Sequence, residues 1–126
     1  MTSFSDAQTS VAQLKDFVQK FVDERDWRQF HTPKNLSMSL AIEAAELMEH
    51  FQWLTPQESM ACDEQKRFEA GEEMADVLCY LLGLANELDI DLASALENKM
   101  VKNREKYPVE KFKGRFGPDD QRTATD

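Results

Sequence analysis

Glycine and proline are scarce in this chain, four of each among 126 residues. A fold of short strands and tight turns draws on both, so the shortage argues against an all-β architecture. Cys62 and Cys79 are too few and too far apart for a zinc pattern or a redox CxxC, and Cys79, inside an apolar helical run, reads as a core thiol. No apolar run approaches the length of a membrane span. The stretch from Met1 to Asp6 lacks the basic segment and apolar run of a secretory leader, so a cytoplasmic protein with no membrane partner is the expectation. Positive charge is also short: 15 lysines and arginines face 24 acids, for a formal net charge of -9. Binding to a nucleic-acid polymer needs clustered positive charge, and that class is set aside. A nucleotide ligand stays open, because a bound metal ion reverses the local sign of an acidic site.

What is abundant is helix-forming sequence. Hydrophobic residues make up 41% and charged residues 31% of the chain, enough apolar surface for one compact domain with its own core. Val11, Leu14, Phe17, Val18, Phe21 and Val22 recur at spacings of three and four, predicting a first helix over about 7–26. After an aromatic-rich connection, Thr32 caps a second helix with Pro33 at its first position, expected to run to Trp53 with Leu36, Leu40, Ala44, Leu47 and Phe51 on its buried stripe. Thr55-Pro56-Gln57-Glu58 is a further helix start with a capping box. A long third helix over roughly 63–87 follows, then one from about 92 to 106 that stops near Pro108. The expectation is an all-α, four-to-five-helix bundle over 1–108 and a flexible, mostly polar C-terminal tail over 109–126, loosely ordered or docked on a partner subunit.

Two acidic pairs carry the chemistry. Glu43-Ala44-Ala45-Glu46 lies in the second helix and Glu73-Met74-Ala75-Asp76 in the third. Three-residue spacing puts the two carboxylates of each pair about 60° apart on one helix face, bordering the apolar stripe, with His50 and Trp53 on the side of the first pair and Tyr80 on that of the second. None of the four acids has a lysine or arginine three or four residues away. Four such carboxylates beside an apolar seam repel one another and resist ionisation. A divalent cation resolves the conflict, and oxygen-only ligation suits Mg²⁺ or Mn²⁺. A di-iron bundle would use Glu-x-x-His on two helices; here His50 stands four residues after Glu46 and the third helix has no histidine.

The run from Glu43 to Trp53, followed by Glu72-Glu73-Met74-Ala75-Asp76-Val77-Leu78-Cys79-Tyr80-Leu81, resembles the MazG-like nucleotide pyrophosphohydrolases, most of all their dCTP pyrophosphatase branch. Asp26 to Leu36 and Lys99 to Pro108 are similar to that branch too, so the likeness spans roughly residues 10–108 in unbroken order. The resemblance implies an all-α NTP pyrophosphatase fold assembled as a dimer or tetramer. It implies hydrolysis of a nucleoside triphosphate between its α and β phosphates, with Mg²⁺ on Glu43, Glu46, Glu73 and Asp76. Glu46, as acceptor of the attacking water's proton, Glu43 and Lys99 are the candidate catalytic residues. Trp27, His31, Trp53 and Tyr80 are candidates for the base, and Lys99, Asn103 and Tyr107, a stripe at i, i+4 and i+8, for phosphate and sugar. Two readings compete: a broad-specificity or dUTP-directed pyrophosphatase with the same metal site, and a non-catalytic helical regulatory dimer.

Overall fold

The computed structural model describes residues 3–115, 117, 119 and 120. They form six helices and, among the described residues, no strand: α1 (Val11–Glu24), α2 (Pro33–Glu49), α3 (Pro56–Met60), α4 (Glu64–Leu88), α5 (Leu92–Lys106) and α6 (Val109–Phe112). Two of these, α3 and α6, are short pieces of five and four residues, which is why the count exceeds the expected four to five. Of the expected tail, Phe116, Pro118 and 121–126 lie outside the described residues, and α6 falls in its first part.

Local chemistry sets most helix starts. Ser10 accepts from the Gln13 backbone while the Gln13 side chain accepts from the Ser10 N–H, a capping box that starts α1 four residues later than its periodicity alone suggests. Thr32 accepts from Asn35 N with Pro33 in the first turn of α2. Thr55 and Glu58 cap each other at α3, and Asp63 and Asp91 cap α4 and α5. α1 runs out where Asp26 takes the left-handed conformation (φ 51°), and α4 at Asp89 in the same region; aspartate tolerates this backbone better than branched residues do. α2 ends at Glu49 rather than Trp53. His50 N bonds to Leu47 O and Phe51 N to Met48 O, so three-residue spacing tightens the last turn and the chain leaves the helix.

The chain divides into two compact units, Met1–Ile90 and Asp91–Asp126. In the first, α4 packs on both α2 and α1. Its core is Val18 and Val22 from α1, Leu36 from α2, and Ala70, Leu82 and Ala85 from α4. Two cross-links tie α1 to the end of α4: Lys15 Nζ donates to Ile90 O at 2.9 Å, and Asn86 Nδ2 donates to Lys15 O at 3.0 Å. Ala44, expected on the buried stripe, is exposed. The second unit comprises α5 and α6; within it Tyr107 packs edge-on against Phe112, ring centroids 5.2 Å apart. Among the described residues no helix is long and apolar enough to cross a membrane.

Leu36, only 2% exposed, fills the space between α2 and α4 beside Gly83. Leu36→Ala is expected to cost about 2–5 kcal/mol by cavity formation, measured as a lower urea midpoint with unchanged slope.

Candidate active site: a carboxylate cluster beside an aromatic cavity

Packing of α4 on α2 turns the two sequence pairs into one cluster. Glu43, Glu73 and Asp76 each present a carboxylate oxygen, all within 4.8 Å of one another. Glu43 and Glu73 are half-buried, and each has one oxygen, Oε2, that is shut off from solvent and has no hydrogen-bond partner among the described residues. Burying a carboxylate oxygen without a donor is costly. Glu46, also half-buried, lies against both.

The electrostatics follow from this crowding. Glu43 is pushed up from the usual 4.5 to about 7, first by sharing a hydrogen bond with the Glu46 carboxyl, then by burial, then by the charges of Glu46, Asp76 and Glu73. Glu73 is also raised, chiefly by burial and then by Glu46, with His50 opposing. These acids demand positive charge that, among the described residues, no lysine or arginine meets directly, and the donor set is all oxygen. Both properties fit a hard divalent cation, and Glu43, Glu73 and Asp76, with Glu46 adjoining, are the residues able to hold one.

Asp76 also belongs to the wall of a cavity of about 240 Å³, with Val18, Phe21, Val22, Trp27, His31, Leu36, Cys79, Tyr80 and Gly83. The connection between α1 and α2 supplies its aromatic side. Trp27 packs edge-on against Phe21 at 5.7 Å, and its ring centre is 6.3 Å from that of His31. Arg25 stacks on Phe21 at 3.8 Å. The connection is pinned by Gln29 Nε2 donating to Asp26 O, Asn35 Nδ2 donating to Phe30 O, and an Arg28–Glu87 ion pair at 3.5 Å. Burial, then the charge of Glu43, pushes the Tyr80 phenol up, with Ser39 pulling the other way; burial also pushes up the Cys79 thiol.

Of the residues singled out in the sequence, Glu43, Glu73 and Asp76 therefore come together with Glu46 beside them, and Trp27, His31 and Tyr80 share the adjoining cavity. Trp53 stands apart from that wall, 86% exposed on the turn after α2. Lys99 and Asn103 are carried by α5 and Tyr107 caps its end, all in the second unit; there Asn103 Nδ2 contacts Met100 Sδ at 3.6 Å. Sequence reasoning passed over the apolar half of the cavity. Its signal was the α1 stripe itself, since Val18, Phe21 and Val22 serve as core and cavity wall together. It also passed over Lys66 and Glu69, two turns and one turn before Glu73 on α4.

In this all-helical unit, carboxylates gathered from two helices stand beside an aromatic cavity. The chain belongs to the MazG-like family, whose sequence model matches residues 38–115. It is 40% identical over 114 residues to dCTP pyrophosphatase 1 of Rattus norvegicus, covering 89% of this chain and 66% of that protein. Against dCTP pyrophosphatase 1 of Mus musculus it is 43% identical over 97 residues, 75% of this chain and 57% of the relative. The chain thus spans two thirds or less of those two relatives' length. The crystal structure of a pyrophosphatase from Archaeoglobus fulgidus matches with a TM-score of 0.74 at 40% identity, covering 86% of this chain and 98% of that one.

A carboxyl at about 7 in the folded chain and 4.5 when free binds more proton folded than unfolded at every pH between those values. The contribution of Glu43 to folding stability therefore falls as pH rises through that window. In EDTA, the melting temperature is expected to drop between about pH 5 and about pH 8, and Glu43→Gln to flatten that slope. A parent slope that survives Glu43→Gln would assign it to other groups.

Proposed function

We propose that this chain is a nucleoside triphosphate pyrophosphohydrolase. It cleaves a deoxynucleoside triphosphate, dCTP before others, to the monophosphate and pyrophosphate, with Mg²⁺ or Mn²⁺ held by Glu43, Glu46, Glu73 and Asp76. One observation carries the reading: Asp76 belongs both to the carboxylate cluster and to the wall of the aromatic cavity. A phosphate chain and a base thus have neighbouring places. The dCTP pyrophosphatases among the relatives and the archaeal pyrophosphatase support the same reaction class.

When bound, the cation supplies the charge that neutralises a triphosphate and the pyrophosphate leaving it. The remaining work belongs to the side chains. Glu43 and Glu73 each keep one buried oxygen, Oε2, without a hydrogen-bond partner among the described residues, and each offers a carboxylate oxygen to the same cluster. Glu46, in hydrogen-bond contact with Glu43 and Glu73, is the proposed acceptor of the proton released by the attacking water. Trp27, His31 and Tyr80 offer ring faces and edges to a base, and the cavity keeps water from its apolar side. Trp53, being exposed, is proposed to meet the nucleotide itself rather than the cavity wall. Lys99, Asn103 and Tyr107 are proposed as phosphate and sugar contacts on the chemistry of their side chains, an ammonium, a carboxamide and a phenol.

Self-association is part of the proposal. The first unit's core is six small or medium apolar residues, while Met38, Ile42, Phe68, Met74 and Leu78 on α2 and α4 are 41–64% exposed. That much apolar helix surface calls for a cover, and a second copy of the chain is proposed to provide it. Light scattering on the eluted protein is expected to give two or four chains per particle; a monomer at micromolar concentration would remove this part.

The reaction is tested with a panel of dNTPs and NTPs in Mg²⁺, with EDTA controls and products separated by ion exchange. Monophosphate plus pyrophosphate, fastest from dCTP and absent in EDTA, is the expected result. Equal rates on every nucleotide would keep the site and discard the dCTP preference, whereas diphosphate plus orthophosphate would overturn the cleavage position. Glu43→Gln is expected to lower kcat/KM by about 10²-fold or more, the scale of losing one preorganised electrostatic contact.

A further inference from the structure

The carboxylate of Glu73 is used from two sides. Its Oε2 is buried without a hydrogen-bond partner among the described residues, while its Oε1 lies 3.8 Å from Nε2 of His50. The imidazole is itself anchored. The His50 backbone closes the last turn of α2, its side chain is only 20% exposed, and its Nδ1 lies 3.5 Å from Lys66 Nζ and 3.8 Å from Glu69 Oε2. An ammonium has donors only, so beside Lys66 the nearer role for Nδ1 is acceptor. That leaves the N–H on Nε2, the nitrogen facing Glu73.

We infer that His50 is a positioning residue for the cluster: backed by Lys66, it faces Glu73 Oε1 and sets how the Glu73 carboxylate is turned beside Glu43 and Asp76. The inference rests on the proposed use of Glu73 as a cation ligand and adds to it a residue outside the four acids. The contact joins the end of α2 to the middle of α4, the two helices that carry the acidic pairs. Partners of this kind set ligand orientation, and losing one typically weakens metal binding about 10–100-fold.

The test is calorimetric titration of MnCl₂, without nucleotide, into the full chain and into His50→Leu and His50→Gln. His50→Leu, close in size but without a polar edge, is expected to weaken Mn²⁺ binding about 10-fold or more. His50→Gln, which keeps an N–H able to reach Glu73, is expected to recover most of that loss. Undiminished binding by folded His50→Leu overturns the inference, and so does an equal loss in both variants, which would assign His50 to packing alone. A measurement on the unmodified chain covers the case in which His50→Leu fails to fold. With ¹⁵N-labelled histidine, assigned against His50→Gln, the His50 Nε2 resonance is expected to shift as Mg²⁺ is added. A resonance unmoved through saturation overturns the inference. Absence of Mn²⁺ binding by the unmodified chain would instead bring down the metal reading on which the inference stands.

Discussion

The mutual repulsion of carboxylates brought together by α2 and α4 is the constraint around which the rest of the first unit is arranged. Two helices that buried only apolar residues would pack at lower cost. Here the helix pair that buries Leu36 beside Gly83 also closes one oxygen of Glu43 and one of Glu73 off from water, with no lysine or arginine bonded to either among the described residues. The chain answers in part by sharing a proton: Glu43 rises to about 7 through its bond to Glu46. Such a site is poorly neutralised by the protein alone. It favours any ligand that brings positive charge with it, and a metal–nucleotide complex does so.

The cavity is positioned by the same packing. α1 lies on α4 and presents Val18, Phe21 and Val22 to it, while the pinned connection after α1 adds Trp27 and His31, with Trp27 against Phe21. Asp76 and Tyr80, one turn apart on α4, face this space from the carboxylate end. A single helix thus serves both halves of the site, and a shift of α4 along its axis would disturb both together. The Lys15 and Asn86 cross-links at the end of α4, together with the Arg28–Glu87 pair, oppose that shift.

Much of this was legible in the sequence, for identifiable reasons. Thr32-Pro33 and Thr55-Pro56-Gln57-Glu58 announce helix starts because side-chain caps act within three or four residues, and all such local chemistry survives in the fold. The two acidic pairs were visible because their spacing matches a helix and their neighbours lack basic partners. What lay beyond reach was long-range. Periodicity carried α2 on to Trp53, and only the tightened turn at His50 shows that the helix stops at Glu49. The approach of Lys66 to His50 across 16 residues, and the use of the α1 stripe as a cavity wall, depend on how helices cross, which no local pattern encodes. Membership of the MazG-like family, carried by residues 38–115, agrees with the motif reading because those same residues hold both acidic pairs.

The buried oxygens of Glu43 and Glu73, without a partner among the described residues, are proposed to be held ready for a divalent cation. A crystal grown with Mn²⁺, measured for anomalous scattering, tests this most directly. A strong anomalous peak is expected between Glu43, Glu73 and Asp76, within about 2.0–2.3 Å of their oxygens. A Mn²⁺-soaked crystal with no peak there, or with those oxygens satisfied by lysine or arginine from a neighbouring chain, would contradict it.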